Sequence, residues 1–190
     1  MTIAASLPEP ILETPRLRLR PLIASDAEPL HGCYGDPEAM RYWDFPASLD
    51  PAQTAERLSQ SLRTDPKWHA AWAVLLKDGE QFLGMVNYHH REPWYQRLEV
   101  GYILARPYWR RGFMSEAMLA FLGHCFAGLG THRVEATIEP ENVDSIRLVE
   151  RLGFRREGLL RDRLLVDGTY RSVLMFALLE GEWRTADTKA

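Results

Sequence analysis

Cysteine is nearly missing from this chain: Cys33 and Cys125 are the only two in 190 residues. Thiols so few and so far apart exclude a disulfide framework or a cysteine zinc cluster, and leave two buried free thiols as the reading. A basic excess is also missing, with a formal net charge of -3 and a pI near 6.1. That argues against nucleic acid as a partner, so any anion site must be local. No run of about 18 apolar residues occurs, and no basic-apolar leader opens the chain, so neither membrane spanning nor export is expected and a cytoplasmic location follows. Repeats and low-complexity tracts are absent too. What is present is 46% apolar residues, enough for one ordinary core and short for two. One domain over residues 12–183 is expected, between a flexible start at 1–11 and a flexible tail at 184–190.

Periodicity outlines the elements. "RLRLRPL" (16–22) alternates basic and apolar residues as a half-buried strand does. Two surface helices follow, one from a Ser25 N-cap to about Gly35 and one from Asp50 to Thr64, with the aromatic loop "MRYWDFPASLD" between them. "AAWAVLLK", "FLGMVNYHH" and "LEVGYILA" form a meander whose first turn is Asp78-Gly79. From Gly112 to Ala127, Met114, Ala117, Met118, Phe121, Leu122 and Cys125 make an apolar stripe at helical spacing. "HRVEATIE" is a strand, "NVDSIRLVERLG" is a short helix capped by Asn142 and stopped by Gly153, and two last strands flank Asp167-Gly168.

The stretch "YWRRGFMSEA" (108–117) is electrostatically odd. The positive end of a helix dipole prefers acidic neighbours, yet Arg110 and Arg111 stand beside it. A glycine where a strand runs into a helix lets unpaired amides converge, here those from Arg111 through Gly112, Phe113 and Met114 to Ser115, and a phosphate commonly fills such a point. The guanidiniums of Arg110 and Arg111 would add charge-assisted bonds. Taken alone, the same residues also read as solvated arginines before a turn.

The neighbouring motifs decide between these readings. "EVGYILARPYWRRGFMSEAMLAFL", then "ENVDSIRLVERLGFRREG" after one strand, resembles the GCN5-related N-acetyltransferase (GNAT) superfamily, which moves acetyl from acetyl-CoA to amines. "ETPRLRLRPL" and "DGTYRSVLMFALLEGEW" resemble the branch containing the ribosomal-protein N-terminal acetyltransferases, and the likeness runs from Leu12 to Trp183. It implies an α+β fold: one mixed, mostly antiparallel, twisted sheet of about seven strands flanked by about four helices, splayed between its fourth strand (Leu98 to Leu104) and fifth (His132 to Glu139). It implies that backbone groups at Gly101, Tyr102 and Ile103 hold the pantetheine and polarise the thioester carbonyl, that the loop around Gly112 binds the CoA pyrophosphate, and that Asn142 touches CoA. The family loop has Gln or Arg, two residues, Gly, one residue, then Gly or Ala; Trp109 and Met114 depart from it and only Gly112 is kept.

Proton handling is less well marked. Where many relatives carry a general-acid tyrosine, this chain has Val149. The resemblance offers Ser145 as the donor, a position that also suits ordinary first-turn capping. Glu99, on the face of the strand shared with Gly101 and Ile103, is the candidate base, or else a surface glutamate. Glu135 and Asp162 are weaker candidates, and Leu164 stands where a related class has a glutamate. Tyr42, Trp43, Phe45, His90 and Trp94 are candidates for the acceptor pocket, by family geometry. His89 and His90, being adjacent on a strand, are expected to face opposite sides and so not to share a metal, and no metal is expected. The charged run 155–163 reads as a solvated strand edge.

This thin inventory bears on the acceptor. An α-amine with a pKa of about 7.7–8.0 is roughly 10–20% neutral at pH 7, and a lysine amine only about 0.04%, a gap of roughly 3–4 kcal/mol. A peptide N-terminal α-amine is therefore the favoured acceptor. A small amine (antibiotic, polyamine or amino acid) and a non-catalytic acyl-CoA-binding module are the alternatives, and a homodimer is left open.

Overall fold

The structure is a computed structural model, and it describes residues 9–187. The expected loose ends fall largely outside the described residues, at 1–8 and 188–190. Among the described residues there are eight strands and five α-helices: β1 Leu12–Glu13, β2 Leu17–Pro21, α1 Ala27–Tyr34, α2 Pro51–Arg63, β3 Ala70–Leu76, β4 Gln81–Glu92, β5 Arg97–Leu104, α3 Phe113–Gly123, β6 Arg133–Ile138, α4 Val143–Arg151, β7 Arg155–Val166, β8 Thr169–Leu179 and α5 Glu180–Asp187. The extra strand is the two-residue β1, too short for any periodicity to show. It exists because Thr14 closes a tight turn onto the Leu17 carbonyl and lays Leu12 against Leu19. The extra helix, α5, enters the expected tail, and its Trp183 stacks on Phe126 with ring centroids 5.8 Å apart.

The sheet runs β1-β2-β3-β4-β5-β6-β8-β7. All neighbours are antiparallel except β5 and β6, which are parallel. Both predicted hairpin turns form, and Asp167 and Gly168 adopt the paired positive φ (48° and 74°) that a two-residue turn between twisted strands requires.

Alternation along β3 sorts the two faces. Trp72 and Val74 point towards α3, whose Ala117, Met118, Phe121 and Leu122 are fully buried. Ala71, Ala73 and Leu75 face the other way, towards Leu30 and Cys33 of α1 and Leu58 of α2. Both cysteines are free and buried, and burial pushes the Cys33 thiol up to about 12. Asp50 caps α2, its carboxylate accepting from the Gln53 amide at 2.8 Å with Pro51 at the first helical position. The start of α1 differs from expectation: Ser25 sits inside a short 3-10 turn, Ala24–Asp26, and does not cap. Asp26 organises that turn, accepting from the Ile23 amide at 2.9 Å and from both Arg20 Nη atoms at 2.7 Å.

Candidate active site

Strands β5 and β6 pair over only three positions, Arg97 with Arg133, Leu98 with Val134 and Glu99 with Glu135. Beyond Glu99 they part. One edge of Val100–Leu104 then faces Ala136–Ile138 across a cleft of about 1520 Å³, with its other edge still bonded to β4. A Cβ at Gly101 would lie 2.4 Å from Asn87 Oδ1, directly opposite on β4, so a larger residue here would have to displace that side chain. That oxygen is buried without a hydrogen-bond partner. The predicted splay is thus present, together with an acceptor atom of β4 that strand patterning does not single out.

At one end of the cleft lies the start of α3. Gly112 is its N-cap at φ 77°, preceded by Arg110, also left-handed at φ 59°. No side chain caps this helix, unlike α2 and α4, so the first-turn amides of Phe113, Met114 and Ser115 open towards the cleft. The donor set fits a pyrophosphate. Trp109 lines the cleft and stays 37% exposed, its Nε1 donating to the Leu104 carbonyl at 2.7 Å, whereas Met114 is buried in the core. Of the two departures from the family loop, Met114 is therefore the packing residue.

The arginines divide. Arg110 lines the cleft, with Asp144 at 3.9 Å in a pair too exposed to matter energetically. Arg111 does not line it; its guanidinium lies 5.0 Å over the Phe113 ring and its carbonyl accepts from Arg16. Nor is the helix start without an acid. Glu116, one turn in, accepts from Thr14 Oγ1 (2.6 Å), the Arg16 amide (2.8 Å) and Arg16 Nε (2.6 Å), which ties β1 and β2 to α3.

Near the apex of the splay, Glu99 bears on two expectations. Burial would raise its pKa, but His89, Thr137 and His90 outweigh burial and hold the carboxylate at about 2. A carboxylate so reluctant to take a proton is a poor general base. The second correction concerns the histidines. A bulge between His89 and Glu92 puts His90 in the left-handed region (φ 48°) and breaks the alternation. Both rings therefore turn to one carboxylate: His90 Nδ1 is 3.3 Å and His89 Nε2 3.7 Å from Glu99 Oε2. Thr137 donates to Oε1, binding β6 to β5 across the apex.

This pairing predicts acid lability. The folded-state pKa is below the ordinary 4.5, so the stabilisation is fully present above about pH 4.5 and is lost as pH falls through about 2. Urea unfolding between those values should show Glu99→Gln lacking a part of the acid dependence, of order 3 kcal/mol. Identical pH slopes for wild type and variant would remove the assignment.

The other proton candidates separate clearly. Glu135 is buried outside the cleft, salt-bridged to Arg97 (3.0 Å) and Arg133 (2.6 Å). Asp162 sits in an exposed bulge of β7, and Leu164 lines the cleft as a plain apolar wall. Val149 is fully buried core. Ser145 lies in the first turn of α4, where its amide donates to Asn142 Oδ1 at 3.2 Å; its hydroxyl does not line the cleft but bears on Tyr102 Oη. Burial pushes the Tyr102 phenol up to about 12 and Ser145 moderates that, without closing a hydrogen bond of good geometry.

The opposite end of the cleft is aromatic. Tyr34, Trp43 and Phe45 form a cluster with centroids 5.4–5.5 Å apart, and Tyr42 Oη donates to the Glu141 carbonyl at 3.2 Å, strapping the 40–50 loop over the opening. Trp94 is not there: it packs on Trp68 at 5.3 Å, outside the cleft. Three further lining residues carry no sequence signal, because their partners are remote in the chain. Arg57 lies 4.2 Å over Phe45 with its Nε buried and unpartnered, and His69 accepts or donates to Ser61 Oγ at 2.6 Å. Thr137 is the third.

Comparison with known proteins agrees with this geometry. The family model described as "Acetyltransferase (GNAT) domain" matches residues 16–155, and the chain belongs to that family of acyltransferases. The N-acetyltransferase p20 of Bacillus licheniformis, described as uncharacterized, is 33% identical over 173 residues, covering 90% of this chain and 97% of p20. The [Ribosomal protein uS5]-alanine N-acetyltransferase of Escherichia coli (strain K12) is 30% identical over 107 residues, 56% of this chain and 55% of that enzyme. Among solved structures, a GCN5-related N-acetyltransferase from Brucella melitensis superposes with a TM-score of 0.84 at 26% identity, covering 94% of this chain and 82% of that one.

Proposed function

We propose that this acetyltransferase uses acetyl-CoA to acetylate the α-amine of a peptide or protein N-terminus. The observation that carries the reading is the continuity of one cleft from the uncapped amides of α3, along the unpaired edge of β5, to an aromatic mouth. Acetyl-CoA supplies the activated acyl group. Phe113, Met114 and Ser115 offer amides to its pyrophosphate, Gly112 permits the approach and Arg110 adds charge. The backbone of Gly101, Tyr102 and Ile103 pairs with the pantetheine arm and polarises the thioester carbonyl. Asn142 uses Oδ1 to cap α4 and keeps its amide NH2 for the cofactor. Tyr102 Oη, protonated at neutral pH and flanked by Ser145, is a proton donor beside the sulfur's exit.

The preference for an α-amine rests on proton affinity. Glu99, the one base candidate carboxylate that lines the cleft, is held near 2 and so is ill-suited to strip a lysine. The partial likeness to an enzyme named for an alanine of uS5 points the same way. A thiol-release assay with acetyl-CoA tests this. Peptides with a free N-terminus should turn over about 250- to 500-fold faster than Nα-blocked lysine peptides, the size of the neutral-fraction gap. Turnover confined to polyamines or aminoglycosides would overturn it.

A further inference from the structure

We infer that His90 is the catalytic proton acceptor, with Glu99 as the residue that positions its imidazole; this deepens the acetyl-transfer reading and rests on it. Nothing in strand periodicity brings His90 to the cleft. Its left-handed backbone does so, by turning the ring onto the same side as His89, their centroids 4.7 Å apart. Side chains rarely hold φ near 48° unless the surroundings enforce it, and such residues cluster at active sites. Here the bulge of β4 between His89 and Glu92 enforces it, and the ring so turned meets Glu99, whose Oε2 lies 3.3 Å from His90 Nδ1.

The polarity of that contact sets the tautomer. A carboxylate can only accept, so Nδ1 carries the hydrogen and Nε2 keeps a free lone pair. Glu99 cannot swing away, because Thr137 on β6 donates to Oε1 and His89 Nε2 approaches Oε2 from the same strand as His90. The His90 side chain is 69% exposed at the cleft wall, so its Nε2 is within reach of an incoming amine. His89 lacks that access: its Nδ1 is buried. His69, ahead of β3, is a further titratable neighbour, and burial, with smaller contributions from His89 and His90, holds it at about 4, neutral at the pH of the reaction. An apo contact of 3.3 Å is long, as catalytic hydrogen bonds often are before substrate tightens them.

In the transfer step, a bond forms between the amine nitrogen and the thioester carbonyl carbon as the carbon–sulfur bond breaks. One proton leaves the nitrogen for His90 Nε2. The electron pair of the broken bond departs on sulfur, which takes a proton from Tyr102 Oη; His90 then releases its proton to solvent and the Tyr102 phenolate takes one back from solvent.

The test uses the full chain and a peptide acceptor, with kcat/KM followed from about pH 5 to about pH 9. His90→Asn tolerates the left-handed backbone and leaves folding intact. It should lower kcat by about 100-fold, remove the acidic limb of the profile and leave the acetyl-CoA KM unchanged, with a fall in thermal midpoint of no more than about 4 °C from the lost contact with Glu99. Added imidazole should restore His90→Gly at least about tenfold, which a structural role would not permit. Glu99→Gln should move the acidic limb to lower pH without removing it. An unchanged rate and limb in His90→Asn, or no imidazole rescue, overturns the assignment while wild-type turnover leaves the enzyme reading standing. A wild type inert towards every amine overturns both.

Discussion

Gly112→Asp is expected to weaken acetyl-CoA binding by at least about 100-fold, measured by calorimetric titration. Steric crowding is not the reason, since the nearest atom to a Cβ at this position would be Arg16 Nη2 at an ordinary 3.4 Å. Two other effects combine. The residue holds φ 77°, where a side chain costs about 1 kcal/mol. A carboxylate at the cap would also accept the first-turn amide bonds itself and place a negative charge against the pyrophosphate, worth a further 2 kcal/mol or so. Each 1.4 kcal/mol is about tenfold in affinity, so the sum reaches two orders of magnitude. Gly112→Ala carries the backbone effect alone and should lose less than about tenfold. Wild-type affinity in Gly112→Asp would remove the phosphate site.

Trp72→Ala is expected to cost about 3–5 kcal/mol in urea unfolding and to lower the thermal midpoint by roughly 10 °C. Trp72 is fully buried at the centre of the sheet, and its indole meets Tyr88 (5.8 Å), Phe121 (5.1 Å) and His124 (5.5 Å) while Nε1 donates to the Pro10 carbonyl at 2.9 Å. Truncation leaves a cavity between β3 and α3 and orphans that carbonyl. The loss is a large fraction of the roughly 5–15 kcal/mol that holds a domain together. Because α3 carries the amides at the cleft, acetyl-CoA affinity should fall as well. A cost below about 1 kcal/mol would mean that α3 is not anchored through this ring.

The order of strands and helices could be read in advance because period-2 runs such as 16–22 and the 3.6-period stripe after Gly112 are long enough to be unambiguous. Gly112 could be read as the start of α3, since glycine takes the left-handed φ of 77° found there at the least cost. The remainder depends on contacts no local pattern encodes. A single bulged residue reversed the geometry expected for His90, and alternation has no means of announcing a bulge. Glu116 draws its role from Thr14 and Arg16, about a hundred residues earlier in the chain, which close on it. Asn87 and Arg57 lie on a strand and a helix without distinction, and their unpartnered buried atoms appear only once β5 and Phe45 are beside them.

The splay also bears on aggregation. Two inward edges of a sheet left without partners are normally an invitation for another chain to add a strand. Here they lie within one cleft, joined at the apex by Thr137 and Glu99 and strapped at the mouth by Tyr42. Such a slot admits a single thin chain, end-on, and bars the broad flank of a second sheet. The feature that opens the molecule to a ligand therefore keeps its unpaired backbone out of fibrillar or edge-to-edge association.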